Sequence, residues 1–366
     1  MKDKISIILP IFNVGAYLRE GLDSLVNQTI GCENLEIIMV NDCSTDNSGE
    51  IINEYADKYD SCIAIHHEKN SGGPYTPRNT GLKACSGDYI MFLDPDDRYN
   101  LDACEILYNK IKETGDDMVL ARFRRVFENR GYVQKSYSPY PDNLSRFYPN
   151  EDFRIANPLD ISDKLWENVV SKILYGRDLE ITYKRDNALD EININSIEEE
   201  PDLLKISPSI WCKIYKRELV MDNNITFPPF IIGEDLCFNL ETFLNAKGIT
   251  FLNSYISCNY YVREEESKSI TNNINIRFMV DLIDCLIYSR KCCEGFSNNI
   301  KNISINPHLF YWMNRWKANS FTKEENELLV GKINELKKIH HTDLKTKMLL
   351  SSMILAVKSA NIIKKK

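Results

Sequence analysis

Short apolar runs bounded by polar turns alternate with stretches whose apolar residues recur every three or four positions. This alternation persists through the first third of the chain. Ile5–Ile11 is an almost uninterrupted apolar run, the pattern of a strand covered on both faces. In Val14–Gln28 the positions Leu18, Leu22, Leu25 and Val26 follow helical spacing. Leu35–Val40 predicts a second buried strand. A helix reaching Tyr59 follows it, with Ser44 or Thr45 as N-cap and Ile51, Ile52, Tyr55 and Tyr59 on its core face. Ile63–His67 reads as a third strand and Asn70-Ser71-Gly72-Gly73 as a turn. Pro77 then sits in the first turn of another helix. Tyr89–Leu93 is a fourth strand, followed by a helix over Leu101–Lys112 and a strand over Met118–Ala121. Strands alternating with helices imply right-handed βαβ units and a mostly parallel sheet.

From Arg124 to Lys205 the periodicity fades into Asn, Asp, Tyr and Pro, with an acidic run at Glu198–Glu200. A structureless loop of about 80 residues is uncommon in a compact fold, so this stretch reads as an insertion with short elements of its own. Order resumes at Ser209–Leu219, and Gly233-Glu234-Asp235 opens a helix running to Asn245. Ile249–Leu252 and Ile256–Val262 read as two strands closing the sheet. Beyond Ile274 the pattern is helical, including Phe278–Cys292, His308–Trp316 and Glu324–Ile339. The expected organisation is therefore a first sheet half over 1–123, an insertion over 124–206, a second sheet half over 207–265 and a helical C-terminal subdomain over 266–366.

The chemistry collects where the strands end. Asp42 follows the second strand, Arg78 lies just past the glycine turn after the third, and the fourth ends in Asp94, Asp96 and Asp97. Taken singly, Asp42 reads as a helix-capping acid, Arg78 as a surface cation, and the acid cluster equally as a turn or a metal site. All three fall on the carboxyl edge of one sheet, where doubly wound folds bind ligands. A carboxylate there can accept from a base N–H, and a guanidinium can pair with phosphate oxygens. Closely spaced carboxylates can hold a hard divalent cation.

Other chemistries are excluded by what the chain lacks. There is no GxxxxGK[ST] loop, no GxGxxG after the first strand, no HExxH and no GxSxG. The pairs His66-His67 and His340-His341 read as ordinary strand-end and helix residues. A net charge of −8 argues against a general nucleic-acid binder. Eleven cysteines without a CxxC pair suit core thiols in a reducing compartment. No apolar run approaches the roughly 20 residues of a membrane span, and Ile5–Phe12 lacks a signal-peptide cleavage signature. These features predict a cytoplasmic location.

Six ordered motifs carry a resemblance. Pro10-Ile-Phe-Asn13, Val40-Asn-Asp-Cys-Ser-Thr-Asp46, Asn70-Ser-Gly-Gly73, Pro77-Arg-Asn-Thr-Gly81, Gly87 through Asp97, and Gly233-Glu-Asp-Leu-Cys-Phe238 resemble the family 2 glycosyltransferases of the GT-A fold. Pro-Arg-Asn-Thr-Gly beside Asp-x-Asp-Asp is similar to enzymes that decorate wall teichoic acids and capsular polysaccharides. The resemblance implies an α/β fold of GT-A type, a Rossmann-like, mostly parallel sheet between helices. It makes 1–123 the nucleotide-sugar half and 207–265 the acceptor and catalytic-base half. By position, the main chain around Pro10 and Phe12, with Asp42, would hold the nucleobase, usually uracil. Asn41 stands where the family often has Asp. Arg78 would contact the diphosphate or sugar. Asp94 and Asp96 would face the donor and its Mn²⁺ or Mg²⁺, with Asp96 the direct ligand and Asp97 a lesser participant. Asp235, or else Glu234, would be the general base. Trp211 offers a face to an acceptor sugar, and Lys213 and Arg263 offer charges to phosphate; packing in the core and simple exposure compete with those roles.

The implied function is inverting, metal-dependent transfer of a sugar from a nucleotide donor, UDP above all, to a glycan, lipid-linked or polyol-phosphate acceptor. A nucleotidyltransferase or a sugar-nucleotide hydrolase on a similar sheet is the alternative within enzymes. The Gly-Glu-Asp motif and the lack of a Lys-bearing glycine-rich first loop count against it. A non-catalytic glycan-binding relic need not retain Asp94, Asp96 and Asp235, charges that are costly when unpaired. The segment Leu344–Lys366 carries apolar Met348-Leu-Leu and Met353–Val357 ahead of Lys364–Lys366. Packing on its own domain, assembly with a second subunit and contact with an anionic inner membrane surface compete for this helix.

Overall fold

The structure is a computed structural model that describes residues 3–127, 132–135, 191–205, 209–262, 274–316, 321–340 and 344–363. Its first half alternates β1 (Ile5–Ile11), α1 (Gly15–Val26), β2 (Leu35–Asn41), α2 (Ser48–Lys58), β3 (Cys62–His66), α3 (Tyr75–Ala84) and β4 (Tyr89–Phe92). A short β5 (Arg98–Tyr99), α4 (Ala103–Thr114) and β6 (Met118–Phe127) follow, then β7 (Tyr132–Lys135), β8 (Glu191–Ile194) and β9 (Lys213–Lys216). After α5 (Arg217–Asp222) and α6 (Glu234–Asn245) comes β10 (Ile249–Val262). The described strands form one sheet in the order β3-β2-β1-β4-β9-β6-β10-β5, with β7 on β6 and β8 on β10. The β1, β2, β3 and β4 pairings are parallel, as is β6 with β10, whereas β9 runs antiparallel between β4 and β6.

All seven residues of β1 are buried, Pro10 included. Pro10 fits because β4 ends opposite Ile8, so beyond that point β1 has a paired strand only on its β2 side. One apolar core fills the sheet face under α1, α2 and α4, built on Ile7, Leu9, Leu22, Leu25 and Leu107. A second fills the opposite face around Ile8, Phe92, Tyr215, Phe238 and Phe251. On that side α3 lies close to β1: a Cβ built on Gly81 would sit 2.3 Å from Ile8 Cγ2.

The two closing strands expected near Ile249 and Ile256 are a single strand, β10, with shifts in register between Leu252 and Cys258. A bulge bends the strand there without ending it. Among the described residues, the expected insertion holds the end of β6, β7, β8 and a short 3-10 turn, Pro201–Lys205. The N-cap position of α2 is Asn47, with no side-chain cap, in place of Ser44 or Thr45. Ser44 Oγ instead accepts from Asn13 N at 3.0 Å, and Thr45 N donates to Asn13 Oδ1 at 2.7 Å. Those contacts tie the β1–α1 loop to the β2–α2 loop.

The helical C-terminal region comprises α7 (Ile276–Cys292), α8 (Asn298–Ile303), α9 (Asn306–Arg315), α10 (Lys323–Ile339) and α11 (Leu344–Ile363). It has its own core, including Phe278, Leu309, Trp312, Ile333, Leu350 and Met353. Among the described residues, no helix is long and apolar enough to cross a membrane.

Candidate active site

The site lies where β1, β2, β3 and β4 end, facing the start of α6. Phe12, one residue past β1, is 48% exposed on this edge. Asp42, one residue past β2, is buried, and its carboxylate is held from two sides. Oδ1 lies 2.8 Å from His67 Nδ1, while Oδ2 accepts from Ser71 N at 3.0 Å and Ser71 Oγ at 2.8 Å. Asn70 Nδ2 donates to the Asp42 carbonyl at 2.9 Å. The glycine turn after β3 is thus folded back onto Asp42. Sequence reasoning had no role for His67; the signal available was its position at the carboxyl end of the third strand.

Arg78 is not a surface cation. It is 5% exposed on α3 and bridges two distant acids. Nη1 donates to Glu234 Oε1 at 2.5 Å and Nη2 to Asp94 Oδ1 at 2.8 Å, with the guanidinium over the Phe227 ring. Burying an ion pair is expensive, so such contacts act mainly to fix one geometry. Here they lock the acid turn after β4 to the first turn of α6. Asn79 reinforces the joint by exchanging hydrogen bonds with Phe227 N and O.

Gly233 precedes α6 with φ +86°, a conformation that favours glycine, and a Cβ there would lie 2.7 Å from Cys285 Sγ. This turn places Glu234 and Asp235 side by side in the first turn of α6, where the helix dipole favours negative charge. Their surroundings differ. Glu234 is buried on Arg78, and its Oε2 has no hydrogen-bond partner among the described residues. Burial raises its pKa, the adjacent Asp235 adds to the shift, and Arg78 opposes it. Asp235 is only partly buried, and its Oδ1 accepts from Leu236 N at 2.8 Å. Burial raises its pKa too, against the pull of Arg78.

Asp94 and Asp96 share one turn after β4, and the Asp94 side chain is 30% exposed. Neighbouring Asp97 points inward: it is fully buried, and Oδ1 accepts from Tyr261 N at 2.9 Å. Among the described residues no group of three or more His, Cys, Asp or Glu side chains gathers into a metal site. Two hard carboxylates nevertheless suit Mg²⁺ or Mn²⁺, which commonly take one or two protein carboxylates and fill the remaining positions with phosphate oxygens and water. The residues present therefore fit such a cation.

Trp211 is 7% exposed, stacked on Tyr260 at 5.7 Å and edge-on to Phe123 at 4.5 Å. Those contacts account for it as a packing residue. Lys213 is also buried, and its Nζ donates to the Ser209 carbonyl, so it presents no surface charge to phosphate. Burial pushes its pKa down to about 8, with the nearby charge of Asp235 opposing. Arg263 lies outside the described residues.

Residues 6–170 match the model of glycosyl transferase family 2. The chain carries a family 2 glycosyltransferase domain of the GT-A fold. A poly(ribitol-phosphate) beta-glucosyltransferase of Bacillus spizizenii is 32% identical over 269 residues, which is 73% of this chain and 34% of that protein. A cholesterol galactosyltransferase of Borreliella burgdorferi is 28% identical over 82% of this chain and 71% of its own length. The chain thus spans about a third of the first of these relatives and most of the second. Among solved structures, S. aureus TarS 1–349 in complex with UDP-GlcNAc superposes with a TM-score of 0.68 at 20% identity, covering 99% of this chain and 91% of that one. At that identity the likeness supports the fold. It extends through the helical C-terminal region of the chain.

Proposed function

We propose that this protein transfers a sugar, with inversion, from a UDP-sugar to a hydroxyl of a glycan or polyol-phosphate polymer in cell-wall polysaccharide synthesis, with the help of Mn²⁺ or Mg²⁺. The observation that carries this reading is the Arg78 bridge. It joins Asp94, in the acid turn suited to a diphosphate-bound cation, to Glu234 at the helix end that also bears the partly buried Asp235. The names of the relatives support the reaction class, and the ribitol-phosphate relative supports the acceptor class. The UDP and UDP-GlcNAc complexes of TarS support the donor.

Asp94 and Asp96 would hold the cation, Asp96 as the direct ligand. Charge neutralisation on the departing diphosphate is the chemistry a bound cation supplies there. Asp235 takes the proton from the attacking hydroxyl, and attack from the face opposite the leaving group inverts the anomeric centre. An α-linked donor then gives a β-linked product. Glu234 is committed to Arg78 and serves to hold the turn, which leaves Asp235 as the base. The decisive experiment is Asp96→Ala assayed with and without EDTA against a panel of UDP-sugars. Asp96→Ala should abolish transfer and the Mn²⁺-dependent part of donor binding while the protein stays folded. Full wild-type activity in EDTA would refute metal dependence.

A further inference from the structure

We propose that His67 is a positioning residue of the nucleobase pocket. Its imidazole holds the Asp42 carboxylate in the orientation that selects uracil over cytosine. This rests on the reading of Asp42 as the nucleobase contact.

The His67 ring is engaged at both nitrogens. Nδ1 lies 2.8 Å from Asp42 Oδ1, and Nε2 lies 3.0 Å from Thr80 Oγ1. An ionised carboxylate only accepts, so Nδ1 carries the hydrogen; in the neutral ring Nε2 then accepts from the Thr80 hydroxyl. Thr80 belongs to α3, two residues beyond Arg78, so the ring spans the nucleobase pocket and the helix that reaches the acid turn. The neighbouring His66 is engaged elsewhere, with Asn41 Nδ2 at 3.1 Å and Asn53 Oδ1 at 2.8 Å. Neither of these partners is Asp42.

Carboxylate orientation matters because uracil and cytosine differ at ring nitrogen N3 and at the neighbouring exocyclic group, a carbonyl in uracil and an amine in cytosine. Uracil presents an imino N–H at the ring nitrogen, and cytosine presents a lone pair. A carboxylate aimed at that atom accepts from the first and repels the second. With Ser71 donating twice to Oδ2 and His67 on Oδ1, the group is fixed against rotation, and Oδ1 keeps a further lone pair for a ligand. Removing the His67 contact releases Oδ1 and lets the carboxylate turn toward water.

The test is titration calorimetry of the whole chain with UDP and with CDP, on wild type and on the His67→Ala, His67→Asn, His67→Gln and Asp42→Ala variants. An Asn amide nitrogen occupies the place of Nδ1, and a Gln amide nitrogen that of Nε2. His67→Asn should therefore keep UDP affinity near wild type. His67→Gln and His67→Ala should weaken UDP by about tenfold, the loss expected for a hydrogen bond to a charged group, and narrow the UDP-to-CDP ratio. A residue that only supports the fold would lower the melting temperature in the Asn and Gln variants alike and leave the ratio unchanged, which would overturn the proposal. Should His67→Ala fail to fold, the contrast between Asn and Gln decides. A wild type without UDP preference, or an Asp42→Ala variant indistinguishable from it, refutes the nucleobase reading and the His67 role with it. A preference lost in Asp42→Ala and intact in His67→Gln overturns the His67 role alone.

Discussion

Adjacent carboxylates at the start of α6 have different partners, and the proposed division of roles follows that difference. Glu234 is closed in by Arg78, whereas Asp235 spends Oδ1 only on a backbone N–H of its own turn. Asp235→Asn preserves shape and removes basicity. Turnover should fall on the order of 100-fold or more, while donor affinity measured by calorimetry stays near wild type. Weaker donor binding with unchanged turnover would place the base elsewhere. Burial raises the Asp235 pKa, and a base acts only when deprotonated. The acidic limb of the kcat profile should therefore lie above the ordinary aspartate range and vanish in Asp235→Asn. Stability runs the opposite way with pH. Carboxyls raised by burial favour the native state below their unfolded values, and that contribution is lost as pH rises through the folded ones.

The elements that present the site are held by close backbone approaches. Gly81 is one, because α3 meets β1 with no room for a side chain. Gly81→Ala puts a methyl 2.3 Å from Ile8 Cγ2, so either the helix or the strand must shift. The expected loss is about 1–3 kcal/mol in urea unfolding, the range for overpacking a core. Because α3 carries Arg78 and Thr80, the same variant should raise donor KM more than it lowers kcat. A variant with wild-type stability and KM would mean that α3 can move without consequence for the site.

The whole molecule adds a helical layer with its own core. Leu349, Leu350, Met353 and Val357 of α11 are buried in it, so removing the chain after Thr342 would strip four core side chains. Leu350→Ala should cost about 2–5 kcal/mol and lower the melting temperature accordingly. On the opposite face Leu344, Met348 and Leu355 are 72%, 57% and 67% exposed and fall within about 40° of one another around the helix. Subunit assembly or contact with an anionic membrane would run through that face. Leu355→Glu should leave the melting temperature within a degree or so of wild type, since substitutions at exposed positions typically change stability by less than about 0.5 kcal/mol. A large drop would place this face inside the fold.

Local patterning determined much of this protein. Apolar runs and helical spacing specify β1 to β4 and the helices between them, because burial on one or both faces imposes a period that the residues display. The motifs at the carboxyl edge were legible for the same reason: a βαβ chain delivers every strand end to one side. Tertiary structure decided what those residues meet. Arg78 and Glu234 are 156 positions apart, and only the crossover that brings α6 against α3 makes them partners. The same holds for His67, an unremarkable strand-end residue until the turn after β3 folds back on Asp42. Lys213 is polar in type yet sits in the interior, because β9 is clamped between β4 and β6. Sequence period reports whether a side chain is covered, and only the packed chain settles what covers it.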